Sequence, residues 1–269
     1  MNARFAVPFL ALTLAGPVAA APVDDLYDAL ALSEIVEIMH EEGLAYGAEL
    51  GSGTVGKPGN AAWDALVSRI YDTEAMEKTV RAGFDAGLEG VDLAPLLEFF
   101  TQPQGRSIVQ MEVSARRAMM DPDVEEAARA AFRDAEETGL DRLTLLSEFV
   151  QVNDLVESNV VGALNANYQF YSGLAAGGGI EMSEQDILSD VWAQEEDTRA
   201  DTREWMYAFL LMAYGPLEDE TVADYLALSA TPEGQALNRA LFVGFNTMYD
   251  EISYALGLAT AREMMAEDL

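Results

Sequence analysis

Residues 92–121, DLAPLLEFFTQPQGRSIVQMEVSARRAMMD, and residues 221–250, TVADYLALSATPEGQALNRALFVGFNTMYD, decide the fold of this chain. Six positions are identical when the two stretches are aligned 129 residues apart. The identical pairs are Ala94 and Ala223, Leu97 and Leu226, Pro103 and Pro232, Gly105 and Gly234, Met119 and Met248, and Asp121 and Asp250. Each stretch consists of an apolar segment, a Pro-x-Gly sequence and a second segment with apolar residues at helical spacing. The two stretches therefore predict one pair of helices that occurs twice.

Helical spacing of apolar residues continues outside the repeat, whereas alternating strand patterns are almost absent. One stripe consists of Leu32, Ile35, Val36, Met39 and Gly43. A second stripe consists of Leu145, Phe149, Val152, Leu155, Val156 and Val160. Glycine-rich loops are expected at residues 51–59 and 177–179. The pattern predicts an all-α fold of about nine to eleven helices.

The chain is expected to contain two related helical units. A weaker match joins residues 34–37 to residues 154–157, at a spacing of 120. Each half then runs from a long amphipathic helix to a helix pair hinged at Pro-x-Gly. The predicted units are residues 21–138 and 139–269, packed on each other into one helical array.

Local signals mark several helix ends. Asp121-Pro122 is an N-cap followed by proline at the first helical position, and Ser183 begins a relative of the capping box. Gly215-Pro216 is expected to end a helix. Thr231 is expected to cap the helix that begins at Pro232.

The glycine of each Pro-x-Gly sequence lies in a first helical turn, where glycine is unfavourable unless another backbone approaches closely. A helix N-terminus can also hold an anion. We favour close helix packing at Gly105 and Gly234, because Arg106 is the one basic residue nearby and Glu233 would repel an anion.

The N-terminus has the order of regions that is typical of a secretory signal peptide. Arg4 precedes a largely apolar run from Phe5 to Ala15, and Gly16-Pro17 and the small residues 18–20 follow. The run is too short to span a bilayer. Residues 1–20 are therefore expected to be removed after Ala20. The mature chain is expected to be soluble, in the periplasm or secreted, with no transmembrane segment.

The residues around the Pro-x-Gly sequences carry a family resemblance. In residues 96–106, LLEFFTQPQGR, and residues 225–235, YLALSATPEGQ, a helix with an apolar end is followed by Pro-x-Gly and an amphipathic helix. Behind a signal peptide, this arrangement resembles the bacterial exported proteins catalogued as domain of unknown function 2059. The resemblance implies a helical envelope protein of the Gram-negative type. It implies no activity and transfers no catalytic residue.

The charge of the chain restricts its partners. There are 47 acidic residues against 15 basic ones, and the formal net charge is −32. Such a charge repels nucleic acid and anionic lipid, so a nucleic-acid partner is excluded. A well-hydrated acidic surface explains this composition more simply than a specific cation site does.

Absent residue types exclude several chemistries. The chain has no cysteine, so it has no thiol nucleophile and no thiolate metal site. Its one histidine, His40, lies three residues after Glu37, but a di-iron bundle needs this pair twice. The matching position after Glu157 is Val160. His40 is instead expected near a helix end, where the helix dipole and the following acidic residues favour it.

Carboxylate chemistry is the one class that the composition leaves open. The densest charged patch, residues 195–204, is expected to be a solvated helix face with an ion pair between Glu195 and Arg199. Aromatic residues beside it could form a groove for a partner or a glycan, although core packing is the simpler interpretation. These residues are Trp192, Trp205, Tyr207, Phe209 and Tyr214.

The sequence thus assigns no catalytic, cofactor-binding or metal-binding residue. The interpretation we favour is a non-enzymatic interaction or structural module of the periplasm, with another envelope protein as its partner. The alternatives are a carboxylate-dependent hydrolase of envelope glycans and a low-affinity binder of divalent cations. Two acids about 5–10 Å apart beside an aromatic wall would favour the hydrolase. An exposed apolar patch would favour the interaction module.

Overall fold

A computed structural model describes residues 20–54 and 61–267. These residues form thirteen α-helices and no β-strand, which confirms the predicted all-α fold class. The helices are α1 (Ala20–Ala29), α2 (Leu32–Thr54), α3 (Ala61–Ile70), α4 (Thr73–Gly87), α5 (Ala94–Thr101), α6 (Pro103–Ala118), α7 (Pro122–Thr138), α8 (Arg142–Val152), α9 (Leu155–Ala176), α10 (Glu184–Trp192), α11 (Glu195–Tyr214), α12 (Asp219–Ser229) and α13 (Pro232–Glu267). Residues 1–19 of the predicted signal peptide lie outside the described residues.

Two sharp corners raise the helix count above the expected nine to eleven. Ala31 separates α1 from α2 with a φ of 52°, and Asp154 separates α8 from α9 with a φ of 50°. Both corners have the same backbone hydrogen-bond pattern, 123 residues apart. The apolar stripe from Leu145 to Val160 therefore spans two helices instead of one. Left-handed backbone is uncommon at alanine and aspartate, so neither corner could be predicted from the sequence.

The long helix α13 lies between α4 and α9. It crosses α4 in antiparallel orientation, and a Cβ placed on Gly83 would lie 2.6 Å from the Cα of Gly244. It runs parallel to α9, and a Cβ on Gly257 would lie 2.0 Å from the carbonyl oxygen of Phe170. Both contacts bring helix backbones together more closely than any side chain would permit.

Three glycines of α2 pack against side chains of α3 and of the residue that follows α3. The pairs are Gly43 with Tyr71, Gly47 with Val67, and Gly51 with Trp63. The indole Nε1 of Trp63 also donates a hydrogen bond of 2.7 Å to the carbonyl oxygen of Gly47. These contacts stabilise α2 as far as Thr54, so the loop predicted to begin at residue 51 does not begin there. Residues 55–60 lie outside the described part of the chain.

His40 lies in the interior of α2, and its predicted place near a helix end is wrong. The helix continues past it because Gly43 and Gly47 are packed against their neighbours. Its Nδ1 lies 2.5 Å from the carbonyl oxygen of Tyr71. A carbonyl oxygen only accepts hydrogen bonds, so Nδ1 is the donor. His40 therefore joins α2 to the end of α3.

The two Pro-x-Gly turns have the same close packing. A Cβ on Gly105 would lie 2.2 Å from the carbonyl oxygen of Phe99, and one on Gly234 would lie 2.2 Å from that of Leu228. Each glycine thus rests on the backbone of the preceding helix, which confirms the packing interpretation. Thr231 caps α13 as predicted, since its Oγ1 accepts a 3.1 Å hydrogen bond from the Gly234 N–H.

Other predicted helix ends are confirmed. The Asp121 side chain accepts a 3.0 Å hydrogen bond from the Asp123 N–H at the start of α7. Ser183 and Asp186 form a reciprocal capping box at the start of α10. Helix α11 ends at Tyr214, directly before Gly215.

The two predicted units interlock. Helix α4 of the first half packs on α13 of the second, and α11 of the second packs on α6 of the first. One apolar core is shared by α1–α6 and α13, and another by α6–α8, α11 and α12. A smaller cluster joins α9 to α10. The hydrophobic cores therefore cross the predicted boundary between residues 138 and 139. No helix in the described part of the chain is long and apolar enough to cross a membrane.

We expect Gly105→Ala and Gly234→Ala each to destabilise the protein, because the added methyl must displace backbone atoms of the preceding helix. The expected loss is about 1–3 kcal/mol in the free energy of unfolding. Gly53→Ala is the matched control, because a Cβ there meets nothing within 4 Å. It should be neutral or slightly stabilising. Urea unfolding midpoints measure all three, and midpoints at or above wild type for the two turn variants would contradict the packing explanation.

Candidate functional site

A partly open cavity of about 530 Å³ lies among α2, α6, α8, α9, α11, α12 and α13. Small residues of α9 leave the space for it: Gly162, Ala163 and Ala166 all face the cavity. The volume falls within the usual range for small-molecule sites, about 300–1,000 Å³. Sites of this kind commonly lie between the helices of a bundle. This cavity is the strongest candidate for a functional site.

Aromatic rings form a large part of the cavity wall. Eight of them line it: Phe149, Trp205, Phe209, Tyr214, Tyr225, Phe242, Phe245 and Tyr249. Trp205 and Phe209 are stacked, with ring centroids 5.4 Å apart. Phe149, Tyr214 and Tyr225 form a ring cluster with centroid separations of 5.0–6.4 Å. Rigid rings give the cavity a fixed apolar shape.

The structure divides the aromatic residues that the sequence grouped together. Trp205, Phe209 and Tyr214 line the cavity. Tyr207 lies outside it and stacks on Phe132, with centroids 5.1 Å apart. Trp192 is 65% exposed at the end of α10. Three of the five residues thus contribute to an aromatic wall, the less favoured interpretation of the sequence, together with rings from α8, α12 and α13.

Glu112 is the acidic residue that lines this cavity. The Tyr214 hydroxyl donates a 2.5 Å hydrogen bond to its Oε1. No second hydrogen bond to this carboxyl is present among the described residues. Burial raises the pKa of Glu112 to about 7, and the hydrogen bond from Tyr214 lowers it by a smaller amount. The group thus changes its charge near neutral pH.

Arg116, one helical turn after Glu112, is already paired. Its Nε donates to Oε1 of Glu42 at 2.8 Å, and its Nη2 donates to Oε2 at 2.5 Å. The guanidinium also lies over the ring of Trp205, 5.2 Å from the centroid. Burial raises the pKa of Tyr249, and the positive charge of Arg116 beside it acts in the opposite direction. Arg116 is therefore held as part of a neutral pair.

Four asparagines supply the remaining polar groups of the wall. Asn153 Nδ2 donates to the carbonyl oxygen of Phe149 at 3.0 Å, and Asn238 Nδ2 donates to that of Asn153 at 2.8 Å. Asn159 Nδ2 donates to the carbonyl oxygen of Leu155 at 2.7 Å. Each of these three amides uses one N–H on a backbone carbonyl and keeps its second N–H as a donor and its Oδ1 as an acceptor. Asn246 is the fourth and packs against Gly162.

The sequence predicted no site residue and missed Glu112. Its position in the helical pattern could have indicated a site residue, because Glu112 follows Ile108 by four residues and precedes the buried Val113. It therefore lies on the apolar face of α6, where a lone carboxylate is unusual. The sequence could not reveal which residues of α11 and α12 face it.

The charged patch at residues 195–204 is placed as predicted. Arg199 Nε and Glu195 Oε1 are 2.7 Å apart within one helix face, and Arg199 also pairs with Glu157 at 2.6 Å. Arg203 pairs with Glu136 of α7 at 2.6 Å. No group of three or more histidine, cysteine, aspartate or glutamate side chains within residues 20–54 and 61–267 is arranged to hold a metal ion.

Comparisons with known proteins found no relative. No protein-family profile matches the chain. No curated protein and no solved structure is significantly similar to it.

Glu112→Gln is expected to stabilise the protein at neutral pH but not in acid. The folded-state pKa of about 7 exceeds the ordinary value of 4.5, so between these values the folded chain holds more protons than the unfolded chain. Stability conferred by the neutral carboxyl is therefore present in acid and lost as the pH rises towards 7. Glutamine does not ionise and can still accept from Tyr214.

The free energy of unfolding of Glu112→Gln, relative to that of wild type, should increase by about 1–3 kcal/mol between pH 5 and pH 8. Urea unfolding at both pH values measures this change. Glu148→Gln, which removes an exposed carboxylate of α8, should show no comparable growth. A constant difference between Glu112→Gln and wild type at the two pH values would show that Glu112 is not buried as described.

Proposed function

We propose that this protein is a non-enzymatic binding module of the cell envelope that holds a small, largely apolar molecule in the aromatic cavity. The observation that carries this proposal is the cavity itself, with eight aromatic rings around a few polar groups. Other pockets of about 420–630 Å³ are present, and this cavity differs from them in the number of aromatic rings in its wall. A well-formed apolar pocket with convergent polar groups is the usual signature of a ligand site.

Export to the periplasm or beyond is part of the same proposal. It rests on the order of regions in residues 1–20. The duplicated origin of the chain is likewise proposed. It is supported by the matched corners at Ala31 and Asp154 and by the matched turns at Gly105 and Gly234. Membership of the exported family named above is a further proposal, and it rests on the segments around those two turns and on the predicted signal peptide.

The hydrolase alternative receives less support from the geometry. A glycosidase uses two carboxyl groups that flank the scissile bond. The cavity wall has one, Glu112, and the nearby carboxylate of Glu42 is held by both the Nε and the Nη2 of Arg116. The cation-binding alternative lacks a cluster of ligands among the described residues. The aromatic wall therefore favours the binding of a small apolar molecule over glycan hydrolysis and over the binding of divalent cations.

Filling the cavity should weaken binding. Ala166 lines the cavity, so Ala166→Phe should obstruct it. Val161 lies on the same helix, α9, with 45% of its surface exposed, so Val161→Phe is the matched control. The probe is N-phenyl-1-naphthylamine, a neutral apolar dye whose fluorescence rises in apolar surroundings. We expect saturable one-to-one binding by wild type and by Val161→Phe, and binding weakened about tenfold or more in Ala166→Phe.

The melting temperatures of both variants, measured by circular dichroism, show whether each is folded. Equal dye binding by the folded Ala166→Phe variant and wild type would place the dye elsewhere and refute the proposed site. No saturable binding by wild type would refute the proposed function.

A further inference from the structure

We propose that the natural ligand of the cavity is an organic cation, an ammonium group on an apolar or aromatic body. This inference rests on the proposed function and specifies the ligand class. Its basis is the position of one unpaired carboxyl group among aromatic faces and amide oxygens.

The charges around the cavity favour a cation. Glu112 and Arg116 are the two charged residues in its wall, and Arg116 is neutralised by Glu42. No positive charge of the protein contributes to the pKa of Glu112, which is set by burial and by Tyr214. The cavity therefore contains a carboxyl group without a counter-ion. An ammonium group would supply the missing partner.

The groups that face Glu112 from the neighbouring helices contribute no competing cation. Helix α11 contributes Tyr214 and helix α12 contributes Tyr225, and burial beside Glu112 raises the pKa of both hydroxyls well above the ordinary value. Both phenols thus stay neutral near pH 7. From α13 the titratable group is Tyr249, which lies beside Arg116. The parts of α2, α8 and α9 that line the cavity contribute apolar and amide side chains.

Aromatic faces add a second attraction. Cations bind over ring faces, and cages of aromatic rings are the usual recognition device for quaternary ammonium groups. The ring cluster of Phe149, Tyr214 and Tyr225 is joined to Glu112 through the Tyr214 hydroxyl. Trp205 already holds a cation, the Arg116 guanidinium, over its ring. The wall thus combines a carboxyl group with surfaces that attract positive charge.

The polar lining offers no free positive charge to an anion. Asn153, Asn159 and Asn238 each use one amide N–H on a backbone carbonyl and keep a second N–H and an Oδ1 acceptor. An anionic ligand would need a positively charged partner, and the one positively charged donor in the wall is bound to Glu42. The net charge of −32 also attracts cations and repels anions at a distance.

The inference predicts the direction of the pH dependence. A cation binds best to ionised Glu112, so its affinity should rise with pH through the titration of this group. With half-ionisation near pH 7, affinity should be about tenfold higher at pH 8 than at pH 6. A neutral ligand that accepts a hydrogen bond from protonated Glu112 would show the opposite dependence.

The test compares benzyltrimethylammonium with neopentylbenzene, in which carbon replaces the ammonium nitrogen. The quaternary charge does not titrate, so any pH dependence belongs to the protein. The cation is titrated directly by calorimetry, and both compounds compete against the neutral dye. We expect the cation to bind wild type at least tenfold more tightly than the isostere at pH 8, with about a tenfold loss at pH 6.

Two variants separate the carboxyl group from the overall charge. Glu112→Gln should lose both the preference for the cation and its pH dependence while still binding the dye. Glu148→Gln, with the same change in net charge at an exposed position, should behave as wild type. Equal affinity for the two compounds, a reversed pH dependence, or a cation preference that persists in Glu112→Gln would each overturn the inference. Failure of the dye to bind would count against the proposed function instead, since calorimetry measures the cation independently.

Discussion

The close packing of α13 between α4 and α9 is the constraint on which the rest of the structure depends. Glycine within a helix costs about 0.5–1 kcal/mol relative to alanine, so its repeated use needs compensation. Here the compensation is backbone contact, at Gly83 with Gly244 on one side and at Gly173 and Gly257 with the facing backbones on the other. Many weak dispersion contacts at short distance hold the three helices in a fixed register.

That register also positions the cavity. Near its C-terminal half, α13 touches α9 directly, through Gly173 and Gly257. Nearer its N-terminal half, α13 presents Phe242, Phe245 and other large side chains opposite the small residues of α9. The gap between the helices is closed at one end by glycine contacts and bounded by rings at the other. Helices α6, α11 and α12 complete the wall and bring Glu112 into it.

The interlocked halves explain how one carboxyl group becomes buried. Glu112 belongs to α6, and the hydroxyl group that binds it belongs to α11 of the second half. The packing of α11 on α6 therefore creates the environment that raises the pKa of Glu112.

Local chemistry could be predicted from the sequence wherever one short segment determines it. The cap at Asp121, the capping box at Ser183 and the close contacts at Gly105 and Gly234 were all predictable. The corners at Ala31 and Asp154 were not, because left-handed backbone is uncommon for residues other than glycine. Gly51 suggested the start of a loop, since its partner in α3 is apparent only in three dimensions. The cavity could not be predicted for the same reason, because its wall combines residues of seven helices.

The most direct test of the proposed site is the titration of Glu112 by carbon NMR. The signal of its carboxyl carbon is assigned by its absence from the spectrum of Glu112→Gln. The structure predicts a midpoint near pH 7 in the free protein. Saturating benzyltrimethylammonium should lower that midpoint by about one unit or more, because the cation stabilises the carboxylate. A free midpoint near the ordinary value of 4.5 would contradict the buried, ligand-accessible carboxyl group on which the account rests. A midpoint that the cation leaves unchanged would contradict the proposed ligand class.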